Sequence, residues 1–277
     1  MTPAQLTAYC ARLGLDRPPT PDLAGLTALV AAHCMAIPFE NIDVQLARAP
    51  SLDPDAIFAK LVEQRRGGWC YEHNGLLGSA LGALGFTVER VCGGILRPGL
   101  SAPAMGSHLA LIVRLDRPWL VDAGFGRWLR RPLPLEPGVW PQPVWPVAIG
   151  HTDRGGWRVQ VDLGKYTMSY DFAAIPADEA LIAAMCAWQA SDPESNFVQN
   201  LVVMRDCGAT NVSLRGRVLV ETDARGACEQ IIDSAQALVA VLAERFDLIV
   251  PEAARLWPAI VARHATLFPD QAAAPTT

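Results

Sequence analysis

One cysteine stands in surroundings suited to covalent chemistry: Cys70, in the run Arg66-Gly67-Gly68-Trp69-Cys70-Tyr71-Glu72-His73-Asn74. A cysteine in a helical pattern is ordinarily a small buried hydrophobe, and the others, at 10, 34, 92, 186, 207 and 228, keep that reading. At Cys70 two preceding glycines let the backbone turn sharply and leave room for a substrate at the sulfur. An amphipathic run starts just after it, which predicts a helix N-terminus, a setting that favours the reactive thiolate.

A thiol nucleophile needs a base, and the base needs a group to orient it. The histidines stand at 33, 73, 108, 151 and 264. His73 is three residues from Cys70 on the same predicted helix, where it would crowd an approaching substrate. His108 opens the apolar run Leu109-Ala110-Leu111-Ile112-Val113, and Asp122 closes the next, Trp119-Leu120-Val121. Their separation is even. If the two strands pair symmetrically about Leu115, His108 and Asp122 lie directly opposite on one face, with Cβ atoms roughly 4.5–5.5 Å apart. A two-residue loop, Asp116-Arg117, would instead send them to opposite faces. A catalytic pair therefore predicts an odd loop.

The elements that must hold these residues change character along the chain. Leu23, Leu26, Leu29 and Val30 repeat at helical spacing behind Asp22, and Leu52, Ile57, Leu61 and Val62 do so around Asp53-Pro54-Asp55. Leu77, Ala80, Leu81 and Leu84 mark the helix after Cys70, with Gly85 placed to stop it. Beyond Gly85 the pattern is strand-like over 86–88, 91–96, 108–115 and 119–122, with a hairpin 157–172 turning at Gly164. Prolines at 132, 134, 137, 141, 143 and 146 confine that stretch to a surface loop or a sheet edge. A helix is expected over 178–190, strands over 197–204 and 212–221, and closing helices over 233–246 and 251–264. The fold class is α+β. A helical bundle, 1–85, carries the nucleophile, an antiparallel β-barrel, 86–190, carries His108 and Asp122, and a mixed α/β portion with closing helices spans 191–277.

Composition removes several classes. The chain is 51% hydrophobic, enough for a large core, and its net charge of −5 without a Lys/Arg run longer than two residues argues against nucleic acid. Its cysteines form no CxxC pair, so no metal site is expected, and their scatter fits a reducing, cytoplasmic setting. No apolar run approaches about 18 residues, so no membrane span is expected.

Residues 66–74 resemble the RGGxCxExN signature of the arylamine N-acetyltransferases. Pro38-Phe39-Glu40-Asn41, Ser107-His108-Leu109, Val121-Asp122-Ala123-Gly124-Phe125-Gly126 and Asn196 to Val202 resemble further family segments in the same order. The resemblance implies a three-part fold of helical bundle, β-barrel and α/β lid, and a triad of Cys70, His108 and Asp122 arranged as in cysteine proteases. It also implies acetyl-CoA as acyl donor, and an arylamine, arylhydrazine or N-hydroxyarylamine as acceptor. The acetyl group would pass through a Cys70 thioester, with the Cys70 N–H a candidate oxyanion donor. Gly106, Ser107 and Gly126 are candidate backbone contacts for the CoA pantetheine and phosphates. Phe39, Trp69, Phe125 and Arg127 are candidate acceptor-pocket residues, and Arg66 and Glu40 a supporting ion pair. His73 stands where many relatives have Gln, so a second imidazole could tune the thiol or assist a proton relay. The alternatives are an amide synthase taking acyl groups from a carrier, a cysteine hydrolase with the same residue order, and a binding module that inherited the fold.

Overall fold

A computed structural model describes residues 1–96, 104–126, 129–143, 145–163, 167–223 and 225–269. The expected helix starts are made by side-chain caps. Asp22 accepts the Gly25 N–H ahead of Leu23–Ala36, and Asp53 accepts the N–H groups of Asp55 and Ala56 ahead of Pro54–Phe58. The latter helix continues as a π-helical turn, Ala59–Glu63. The helix Cys70–Ala83 begins at the nucleophile candidate, and Gly85, at φ +93°, follows its end. Leu26, Leu29, Leu61, Leu77 and Leu81 from these helices form one core with Leu111, Val113 and Val121 from the strands. That shared core presses the helix bearing Cys70 onto the sheet bearing His108.

The larger sheet has eight antiparallel strands in the order Leu133–Pro134, Pro118–Val121, Ala104–Arg114, Thr87–Leu96, Thr167–Phe172, Trp157–Asp162, Val147–His151 and Gly138–Trp140. The proline-rich stretch supplies both edges, where missing ladder donors do least harm. Pro134 and Gly138 are four residues apart, so the edges lie within about 14 Å of each other. The sheet is therefore a nearly closed barrel, and the α+β class holds. The expected turn at Gly164 lies outside the described residues.

A second sheet orders Phe39–Glu40, Val202–Asp206, Asn211–Arg215, Val218–Asp223 and Gly226–Ile231. Phe39-Glu40 thus ties the N-terminal helices to the C-terminal third. Several expectations need correction here. Residues 196–199 form a helical turn capped by Ser195, not the start of a strand. The run 212–221 is broken at Gly216, at φ +58°. The exposed strand Gly226–Ile231 was not anticipated, because it buries no alternating face. The last expected helix is two elements, a 3₁₀ turn Pro251–Leu256 and an α-helix Trp257–Leu267. Pro258 cannot donate to an α-helix running through it, so the helix restarts with that proline in its first turn.

Candidate active site

Cys70 is the first residue of its helix and is buried. The turn before it is set by tight packing. A Cβ on Gly67 would lie 2.2 Å from the Pro38 carbonyl oxygen, and one on Gly68 2.7 Å from Glu72 Oε2. The space at the two glycines is filled by protein and is not kept for a substrate, which corrects the reading made from sequence. Glu72 Oε2 accepts the Trp69 N–H at 3.2 Å, and Lys60 Nζ donates to both Glu72 oxygens at 2.9 and 3.1 Å. Burial pushes the Glu72 carboxyl up to about 7 against the pull of Lys60. The expected Arg66–Glu40 pair is present at 2.7 Å, and Arg66 also reaches Asp43.

His108 lies within the strand Ala104–Arg114, four residues past its start, so it does not open the strand as expected. The next ladder pairs Leu111 with Val121 and Arg114 with Pro118, which centres the hairpin on Asp116 rather than Leu115. The turn is odd, as a catalytic pair requires. The one-residue shift of its centre makes His108 and Asp122 diagonal neighbours on one face, not direct opposites. The diagonal is still within reach: His108 Nε2 is 2.7 Å from Asp122 Oδ2. Gly93 pairs with His108 and leads into a bulge at Gly94; a Cβ there would stand 3.2 Å from the His108 side chain.

Burial alone would lower the pKa of His108. The charge and hydrogen bond of Asp122 outweigh it, the neighbouring Cys70 thiol adds to the upward pull, and the imidazole is held up at about 10. With Nε2 committed to Asp122, Nδ1 is the nitrogen left for the thiol. Asp122 Oδ1 accepts from Asn74 Nδ2 at 2.8 Å and from the Gly124 N–H at 2.9 Å. Asn74 Oδ1 accepts the Ala123 N–H at 3.0 Å. A Cβ on Gly124 would lie 2.6 Å from Cys70 Cα, so that turn rests on the backbone of Cys70. The geometry supplies a thiol, an imidazole and an oriented carboxylate, which is the equipment for acyl transfer through a thioester.

A family profile described as N-acetyltransferase matches residues 22–255. An arylamine N-acetyltransferase of Mycolicibacterium smegmatis is 38% identical over 253 residues, covering 88% of this chain and 91% of that protein. The chain belongs to the arylamine N-acetyltransferase family. Among solved family members, the Mycobacterium marinum enzyme in complex with CoA superposes with a TM-score of 0.85 at 31% identity, over 92% of this chain and 98% of that one. The Salmonella typhimurium enzyme does so with a TM-score of 0.86 at 27% identity, over 95% and 100%.

The remaining candidates divide by position. Phe125 packs on His108 and Tyr170, with ring centroids 5.6 and 4.8 Å away. Phe39 stacks on His73 at 6.2 Å, and Trp69 meets Tyr71 and Phe197 edge-on at 5.3 and 5.6 Å. Gly126, at φ +70°, lines a small hollow with Cys34, Phe39, His73 and Met204. Gly106 and Ser107 are turned inward. The Gly106 carbonyl accepts from Tyr71 Oη at 2.7 Å, the Ser107 carbonyl from Gln189 Nε2 at 2.9 Å, and the Ser107 hydroxyl from the Ile95 N–H at 3.0 Å. A Cβ on Gly106 would meet Leu181 at 2.8 Å, so helix packing accounts for that glycine. Arg127 lies outside the described residues. His73 has both ring nitrogens engaged away from the thiol, with His33 and Pro38, so it has no free nitrogen to act as a relay.

Asn74 and Gly124 stand in the motif segments but carry no role from sequence, and Lys60 and Gln189 have no signal there. Asn74 had a signal, since it ends the signature segment one helical turn after Cys70. A second, wider hollow, about 1210 Å³, is lined by none of Cys70, His108 and Asp122. It lies along the second sheet and the helix Trp257–Leu267, lined by Asn196, Gln199, Arg215, Arg263 and others. Phe197 links the two places. It packs on Trp69 and Phe39, and its helical turn walls the groove.

Proposed function

We propose that this chain moves an acetyl group from acetyl-CoA to an arylamine, arylhydrazine or N-hydroxyarylamine in two steps, through a thioester on Cys70. The observation that carries the reading is the buried His108–Asp122 pair beside the Cys70 thiol, with His108 Nε2 2.7 Å from the carboxylate. The names of the relatives support the substrate classes. His108 takes the thiol proton, leaving a thiolate–imidazolium pair, and Asp122 fixes the ring and balances its charge. The sulfur attacks the acetyl carbonyl and CoA leaves as its thiol. The amine then attacks the thioester, His108 accepts its proton, and the sulfur leaves. The Cys70 N–H, at the helix start, is assigned to the oxyanion.

Phe39, Trp69 and Phe125 are the proposed aromatic wall for the acceptor. For the donor, the buried carbonyls of Gly106 and Ser107 are already in use, so the groove beyond Phe197 is the better-supported seat for the CoA nucleotide. Arg215 there donates to Asn196, and Arg263 to Asn200 and Gln199. These partners are neutral amides, which leave both positive charges available to phosphate. The described cysteines are all free thiols, which supports a reducing, cytoplasmic location.

Intact mass after mixing with acetyl-CoA tests the reading. One acetyl group is expected on Cys70, discharged by an arylamine. No mass gain, or a gain that persists in Cys70→Ala, overturns it.

A further inference from the structure

A second set of buried polar groups lies against the nucleophile's helix and has no part in the proton transfers above. Tyr9 Oη is 2.7 Å from His33 Nδ1, His33 Nε2 is 2.8 Å from His73 Nδ1, and His73 Nε2 is 3.1 Å from the Pro38 carbonyl oxygen. Three helices contribute these side chains, and all are closed to water, at 0%, 0% and 1% exposure. The last bond fixes the direction of the others. A carbonyl oxygen only accepts, so His73 carries its proton on Nε2 and offers a lone pair at Nδ1. His33 must then donate from Nε2, and its own Nδ1 lone pair receives the Tyr9 hydroxyl. Each ring is thereby a neutral Nε2–H tautomer.

We infer that Tyr9, His33 and His73 are positioning residues for the acyl-transfer site, a one-directional chain that pins Pro38 and Phe39 against the turn leading into Cys70. The inference rests on the reading of Phe39 as part of the acceptor wall. The Pro38 carbonyl that receives His73 also receives the Gly68 N–H at 3.2 Å, and the Glu40 N–H returns to the Gly68 carbonyl at 2.8 Å. The Phe39 ring lies nearly parallel to His73, 10° from coplanar. One imidazole thus touches both the wall and the oxygen that holds the turn. The chain ends at a carbonyl, which cannot pass a proton on, so its effect on the chemistry is through position.

The surroundings keep it neutral. Arg12 faces His33 and Lys60 faces His73; Asp122 is the carboxylate facing His73, and the Cys10 and Cys34 thiols flank Tyr9. Burial lowers His33 well below its ordinary range, and lowers His73 to about 4. A further proton could enter only at an Nδ1 that already faces a donor, so a charged ring breaks the chain.

The test joins spectroscopy of the ring nitrogens to half-reaction kinetics on the whole enzyme. Nitrogen-15 NMR at pH 7 is expected to show His33 and His73 as neutral Nε2–H tautomers. An Nδ1–H or charged form of either ring overturns the chain. His73→Leu is expected to raise the acceptor KM in the transfer half-reaction about tenfold, the order expected for one buried hydrogen bond. Acylation of Cys70 by acetyl-CoA should fall less than about threefold by the same reasoning. His73→Gln offers an amide N–H to Pro38 and an amide oxygen to His33, and should recover most of the loss. Should His73→Leu fail to fold, Tyr9→Phe carries the test, with a smaller rise in the same KM of about threefold. Equal losses in both half-reactions, or a His73→Gln enzyme as poor as His73→Leu, overturn the positioning role. If acetyl-CoA fails to acylate Cys70 in the unaltered enzyme, the proposed function falls, while the NMR result still decides the chain.

Discussion

His108 and His73 make an informative pair. Both imidazoles are buried, at 2% and 1% exposure, and each has a ring nitrogen within 2.8 Å of a partner. Burial acts on both in the same direction, against the charged form. Yet His108 is held up at about 10, and His73 is pushed down to about 4. The difference lies in the partners. His108 bonds to the carboxylate of Asp122, whereas His73 bonds to a neutral imidazole and a carbonyl oxygen. Two buried histidines are thereby held in different charge states: one keeps its proton to high pH, and the other cannot accept one without losing its bonds.

The strongest way to break this contrast is to remove the charge that defines it. Asp122→Asn keeps the shape of the side chain while withdrawing the negative charge and inviting the wrong His108 tautomer. The acyl-transfer rate is expected to fall by about 10³–10⁴-fold, the scale for an orienting carboxylate in a nucleophile–His–Asp triad. A fall below tenfold in steady-state kcat/KM would mean that Asp122 is not what separates His108 from His73.

Packing offers the next test. The His108 side of the site is filled to the backbone. The methyl of Gly124→Ala would lie 2.6 Å from Cys70 Cα and 2.7 Å from Asn74 Nδ2. The first is backbone and the second is an amide held by the Leu109 carbonyl and Asp122, so Cys70 itself must shift. A displacement near an ångström costs on the order of 100-fold in rate, and kcat/KM of Gly124→Ala should fall by about that much. The His73 side borders the small hollow at Gly126 and Cys34.

Stability against pH separates the two histidines without reference to activity. The folded pKa of His108, about 10, lies above the unfolded value near 6.5. Its contribution is complete below about 6.5 and is lost as pH climbs through about 10. The folded pKa of His73, about 4, lies below the unfolded value. Its contribution is complete above about 6.5 and is lost as pH falls through about 4. In Tm measured from pH 4 to 10, Asp122→Asn should flatten the alkaline limb, and His73→Gln should soften the acid limb and leave the share of His33. The reverse assignment of limbs would sink the comparison.

How much of this was legible beforehand follows from the range of each interaction. The helix starts at Asp22, Asp53 and Cys70 depend on neighbours within a turn, and they could be read from the sequence. The shared face of His108 and Asp122 was readable because strand side chains alternate with a period of two. Their exact register was not, because it turns on local bonds such as Asp116 accepting from the Trp119 indole at 3.1 Å. The neutral histidine chain joins residues 24 and 40 positions apart, and no local pattern announces it. His73 lies within one turn of Cys70 along the chain, which suggested a neighbour of the thiol, but its ring faces Pro38 and His33. The glycines before Cys70 were recognised as necessary, and their physical cause, Pro38 on one and Glu72 on the other, came only with the fold.

The finest test concerns Tyr170, whose ring lies 4.7 Å from that of His108. Its hydroxyl is buried near Asp122, and burial together with that carboxylate holds the phenol well above its ordinary range. It is therefore a permanent O–H, yet it makes no well-formed hydrogen bond. Asp122 already receives His108 at 2.7 Å, Asn74 at 2.8 Å and the Gly124 N–H at 2.9 Å. A full bond to a charged group is worth roughly 1.5–3 kcal/mol, which is about ten- to 150-fold if realised wholly in the transition state. With three donors in place, Tyr170→Phe should lower kcat less than about fivefold and leave the alkaline limb of stability where it is. A loss in the full-bond range would make the phenol a fourth partner of the carboxylate, and the charge state of His108 would then depend on more than Asp122 alone.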